Sequence, residues 1–173
     1  RLKRNLGERS NLGLIVTHRD DAELGTNRVY GVDGEWKPTA RLGFWGFAAG
    51  SDGPTDASDG WSGGVGGRYS GSFWSGAAHV FEIDDTFDPQ LGFVRRSGGR
   101  SYSAEAEYEP RPDWKGVRNL SFEVEADLFE KDGITESREL GIDFFGIDFL
   151  SGESIVIWFN ALEERLFEPF DDR

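Results

Sequence analysis

The 173 residues carry 32 Asp and Glu against 19 Lys and Arg, a formal net charge of −13. So acidic a chain is repelled by nucleic acid and by anionic headgroups, which argues against both as electrostatically recruited partners. There is no cysteine, hence no disulfide framework or thiolate metal site, and the longest aliphatic run, Leu14-Ile15-Val16, is far below the roughly 18 residues a spanning helix needs.

With no methionine and a start at Arg1 in mid-register, the chain reads as a piece cut from a longer polypeptide. No signal peptide is in view. Fourteen Phe, six Trp and four Tyr accompany 24 Gly. Aromatic girdles and strand glycines explain both excesses in a barrel, and β-sandwiches share them.

Nine strands and no helix are predicted, in the order Asn11–Arg19, Asn27–Trp36, Thr39–Ser51, Gly63–Ser70, Phe73–Ile83, Gly98–Glu109, Val117–Lys131, Ile134–Leu150 and Glu153–Arg165. The clearest signal spans Ser101 to Phe129. Tyr102, Ala104, Ala106 and Tyr108 alternate with Ser103, Glu105, Glu107 and Glu109; Leu120, Phe122, Val124, Ala126 and Leu128 alternate with Ser121, Glu123, Glu125 and Asp127. Side chains on a strand change sides at every residue, so each segment has one oily and one acidic face. Strands about ten residues long, aromatic near their ends, are the pattern of a transmembrane β-barrel.

The connections Lys37-Pro38 and Ser70-Gly71-Ser72 are short, whereas 52–62 and 84–97 are long, as the two ends of such a barrel require. Asp132-Gly133 is a hairpin turn by composition, since both residues tolerate positive φ. The expectation is an all-β, antiparallel up-and-down meander spanning 1–173 as a single segment of a transmembrane barrel. About nine strands is an odd count, so further strands of a longer chain would complete the circle.

The segments Ser10–Arg19, Asn27–Asp33, Phe87–Arg96 and Glu164–Phe170 resemble an uncharacterised bacterial family. Its members look like a family-9-type carbohydrate-binding module followed by an outer-membrane barrel of unknown function. The resemblance implies an upstream sugar-binding module, a Gram-negative outer-membrane location and no catalytic residues to transfer.

The most tempting constellation is the acidic stripe of Glu105, Glu107, Glu123, Glu125, Asp127 and Asp143. Carboxylates two apart on a strand lie about 6.5–7 Å apart, within the range glycosidases use. A glycosidase acid must also be desolvated, which a wet lumen does not provide. The stripe is therefore read as lumen-lining, balanced by Arg28, Arg41, Arg68, Arg118 and Arg138. Asp52, Asp56 and Asp59 could gather calcium but lack the EF-hand spacing, and Asp84-Asp85 and Asp171-Asp172 are no stronger. His18 and His79 fall on different strands without further ligands. The glycine cluster 63–67 lacks the Lys-Ser/Thr of a phosphate loop and reads as a strand start that bends or bulges. Among the tryptophans, Trp61 is the best sugar contact because it belongs to the long loop.

These readings lead to a porin-like wall segment that passes or docks a solute, possibly an oligosaccharide, without enzymatic activity or a cofactor. The expected partners are outer-membrane lipid, the solute, the remaining barrel strands and the upstream module, with no nucleic acid. The rivals are a soluble β-sandwich carbohydrate-binding module and a domain associated with a glycoside hydrolase.

Overall fold

The structure, a computed structural model, describes residues 1–23, 25–55, 59–92 and 98–165. Ten strands follow one another: β1 (Leu2–Leu6), β2 (Ser10–Asp21), β3 (Gly25–Trp36), β4 (Leu42–Asp52), β5 (Gly60–Ser70), β6 (Trp74–Ile83), β7 (Gly99–Tyr108), β8 (Val117–Lys131), β9 (Ile134–Phe149) and β10 (Ser154–Glu164). Each pairs antiparallel with the next in a single sheet, ordered β1 to β10 without a crossover. There is no helix and no second sheet among the described residues. The all-β antiparallel meander is therefore the architecture. The sheet is not closed: β1 and β10 each leave one edge unpaired.

Nine strands match the predicted ones to within three residues at each end. The tenth is β1, which pairs in register from Leu2↔Leu14 to Leu6↔Ser10. The Asp132-Gly133 turn closes β8 onto β9 with φ of 51° and 73°, the left-handed pair that a tight hairpin needs.

Cross-strand partners point to the same side of a sheet, so the register sorts every side chain onto one of two faces. One row of the apolar face runs Leu14, Val32, Ala48, Gly63, and the next runs Gly46, Val65, Val80, Tyr102, Leu128. Much of this face is exposed: Val65 keeps 60% of its surface in water, and Val16, in the neighbouring row with Tyr30, keeps 71%. On β3 the apolar-face residues Arg28, Tyr30, Val32 and Trp36 are exposed or nearly so. Their neighbours Asn27, Val29, Gly31, Asp33 and Glu35 are buried or half-buried. The sheet thus curls with its polar face inside and its oily face outside. Val29 and Leu120 are the only buried hydrophobic residues described. A soluble sandwich would bury that oily face against a second sheet.

Bulges adjust the outer face near the β9 end. An extra residue at Phe144 breaks the register between Ser121 and Glu123, so Phe145 and Ile147 join the apolar face. Phe144 itself has no partner on either neighbouring strand and steps out of the alternation of β9. Leu120 is buried rather than outward-exposed, and its N–H donates to the Pro110 carbonyl at 2.9 Å.

Candidate functional site

The concave face is where chemistry can be offered to water. Small residues and carboxylates occupy its β7–β9 portion, because strict alternation of Ala or aliphatic with Glu leaves every second side chain inward. All six predicted residues converge there. Glu105 lies directly opposite Glu125 and Glu107 opposite Glu123, with Glu123 in turn opposite Asp143. Asp127 faces Glu139, a seventh member that the predicted stripe omitted although it shares the parity of Asp143. Directly opposed residues have Cβ atoms about 4.5–5.5 Å apart, where like charges repel. Glu107 accepts a 2.8 Å hydrogen bond from the Ser75 hydroxyl, and Glu139 accepts one of 2.8 Å from the Asn160 amide.

The arginines expected to balance this stripe do not do so. Arg28 and Arg138 lie on the apolar face, where Arg28 pairs with Asp52 at 3.8 Å and the Arg138 Nε donates to Glu163 at 2.7 Å. Arg41 sits in the β3–β4 turn, and Arg118 is the extra residue of a bulge. Only Arg68 shares the acidic face, in the row that leads through Ala77 to Glu105. Among the described residues no Lys or Arg forms an ion pair with any carboxylate of the stripe. Parity alone carries this signal: Arg28 is in step with Tyr30 and Val32, and Arg138 with Leu140.

The β4–β6 portion of the concave face is aromatic instead. Trp45 lies 5.3 Å from Phe81, Phe47 lies 5.9 Å from Phe81, and His79 packs edge-on to Phe81 at 4.9 Å. The glycine cluster makes room for them. A Cβ on Gly64 would come within 2.6 Å of Phe81, and one on Gly66 within 2.5 Å of Trp45. No register shift occurs on β5, so these glycines seat rings rather than bend the strand.

A third feature closes part of one end. Residues 86–90, after β6, fold back over the concave side of β2–β5. The Arg19 guanidinium donates to the Gln90 side-chain carbonyl at 2.6 Å, and the Asn27 amide, 1% exposed, donates to the Asp88 carbonyl at 3.0 Å. The Ser51 hydroxyl accepts from the N–H groups of both Gly60 and Asp88, at 3.2 and 3.1 Å. The Thr86 hydroxyl donates to the Asp59 carbonyl at 2.5 Å. Among the described residues this latch rests on β2 to β5 and reaches β8 through the Lys131–Asp85 pair at 2.8 Å.

Trp61 belongs to β5, not to the long loop, and sits on the outer face directly opposite Gly50, in the same row as Tyr30. His18 is on the outer face opposite Arg28, whereas His79 is inside. Asp52 is engaged by Arg28, and Asp59 accepts from the Gly53 N–H at 2.9 Å. Asp56, Asp171 and Asp172, with the resemblance residues at 93–96 and 166–170, lie outside the described residues. No group of three or more metal-ligating side chains that could hold an ion occurs among the described residues.

No family model, curated protein or solved structure matches this chain.

Proposed function

We propose that the chain is part of the wall of a Gram-negative outer-membrane β-barrel. Its role would be passage or docking of a solute at the cell surface, with no catalysis in this segment. The observation that carries this reading is the order of residues on the outer face. At one end Tyr30, Trp61 and Tyr102 are aromatic. At the other, Trp36 stacks on Phe44 at 5.5 Å, and Trp74, Tyr108 and Phe122 stack in sequence at 4.4 and 6.2 Å. Between them on β3 to β8 lie aliphatic or small residues such as Val32, Val65, Ala78, Ala104 and Val124, with Phe159 of β10 the aromatic exception in the band. Tyr102 and Tyr108, six positions apart, are separated by about 20 Å of strand.

Aromatic belts around an aliphatic band are how barrels meet the two membrane interfaces. Beyond the first belt, Arg28–Asp52, Arg100–Glu82 and Arg138–Glu163 form a rim of ion pairs on the same outer face. The carboxylate stripe is thereby kept on the water side and these outer-face charges are paired at the rim, while Arg4, opposite Leu12 on β2, is a further charge on the outer face. The unpaired edges of β1 and β10 would be met by remaining strands of the same longer chain, which removes open backbone groups from hydrocarbon. The family resemblance favours an oligosaccharide as the solute and an upstream sugar-binding module as a companion domain.

Fractionation of the full-length parent protein tests this. Sedimentation with the outer membrane, together with gel mobility that changes on heating, is the expected result. A soluble protein without a mobility change would overturn the barrel.

A further inference from the structure

A cavity of about 760 Å³ opens on the concave face beside the latch, within the size range of small-molecule sites. Its floor is β7, whose inward residues Gly99, Ser101 and Ser103 are small. On one side β6 raises Phe81 and His79, which hold each other edge to face. On the other side β8 raises Phe129 and Asp127, and β9 adds Glu139 directly opposite Asp127. β6 and β8 are two strand spacings apart, about 10 Å, so small residues between two aromatic-bearing strands leave a slot one flat group wide. The Phe129 ring leans over Gly99, where any Cβ would collide with it. The guanidinium of Arg138 is turned to Glu163 on the outer face, and the Lys131 ammonium, which lies against Gly98 at the edge of the slot, is held by Asp85 at 2.8 Å.

Resting on the reading of the concave face as the solute path, we propose that this slot binds an organic cation with a flat apolar face, such as an aromatic amine. An aromatic ring attracts a cation through its negative face, and the Asp127–Glu139 pair supplies the countercharge. The serine hydroxyls on the floor can both donate and accept, which suits a solute carrying polar substituents around that face. A neutral solute would leave the two opposed carboxylates with only the Asn160 amide on Glu139 to offset their repulsion. A cation between them removes the repulsion, and this difference is what selects charge.

The test uses the full-length parent protein folded in detergent micelles, with benzyltrimethylammonium as probe and benzyl alcohol as its neutral counterpart, followed by ligand-observed NMR titration. The cation should bind roughly tenfold more tightly than the alcohol, the size of one cation–aromatic contact combined with countercharge. Asp127→Asn with Glu139→Gln should abolish that preference, and Phe81→Leu should weaken the cation several-fold. Glu107→Gln with Glu123→Gln removes the same charge from the same face outside the slot. An equal loss in that variant, or absence of binding by the unsubstituted chain, overturns the proposal. Heat-dependent mobility read on the same samples reports the barrel separately. An intact shift with no binding sinks the slot alone, and a missing shift counts against the barrel while binding still decides on the slot.

Discussion

Trp74 and Tyr108 face each other across the β6–β7 pair and stack with ring centroids 4.4 Å apart and planes inclined by 27°. The stack continues to Phe122 on β8. It lies at the very ends of β6 and β7, on the outer face, and the Glu109 N–H donates to the Phe73 carbonyl beside it at 2.7 Å. One aromatic seam therefore runs across three adjacent strands.

Such a pair contributes about 0.5–1.5 kcal/mol beyond the area it buries. A double-mutant cycle with Trp74→Ala and Tyr108→Ala, followed by denaturant unfolding in micelles, should return a coupling energy in that range. Additive effects would mean that the rings act independently.

The opposed carboxylates predict a gain of stability on neutralisation. Glu123 faces both Glu107 and Asp143. Glu123→Gln should raise stability by roughly 0.2–1 kcal/mol, since like charges directly across a strand pair repel. The urea midpoint should move upward with an unchanged slope. A lower midpoint would show that the charge is compensated in a way the geometry does not contain.

The latch depends on Asn27. Its removal leaves the Asp88 carbonyl with the Gln90 N–H at 3.2 Å as its remaining donor, a loss of about 0.5–1.5 kcal/mol for the one hydrogen bond. Asn27→Ala should increase amide exchange at Asp88 and Gly60 together, because both N–H groups rest on the Ser51 hydroxyl that the latch encloses. Faster exchange confined to one of them would argue against a single cooperative latch.

Gly66 predicts overpacking. A methyl there would meet the Trp45 indole at 2.5 Å, so Gly66→Ala should destabilise by about 1–3 kcal/mol. Adding Trp45→Leu should recover part of that loss in the same unfolding assay.

The strands from β2 to β10 were legible because they are long, alternate strictly and end in aromatics or turn residues. β1 was not. Leu2-Lys3-Arg4-Asn5-Leu6 is too short and too charged to show a period, and its pairing with β2 defines it. The acidic stripe was legible for the same reason as the strands, since Glu105, Glu107, Glu123 and Glu125 carry the alternation themselves. Its supposed balance by arginine was not read correctly, because charge was counted without asking which face each arginine takes. The latch had no sequence signal at all: Arg19 and Gln90 are 71 residues apart, and nothing local in either predicts the contact. The interior aromatic cluster left only an indirect trace, in glycines at 64 and 66 that stand across from Phe47 and Trp45.

The absence of cysteine makes the central claim directly measurable, because single cysteines report one position each. Ala104→Cys and Ser103→Cys occupy adjacent positions on β7 but opposite faces of the sheet. With a fluorophore on each in the full-length protein reconstituted in bilayers, a lipid-chain nitroxide should quench position 104 and spare 103, while a water-soluble quencher should do the reverse. Quenching of both positions by the aqueous agent and of neither by the lipid would contradict the membrane-wall account.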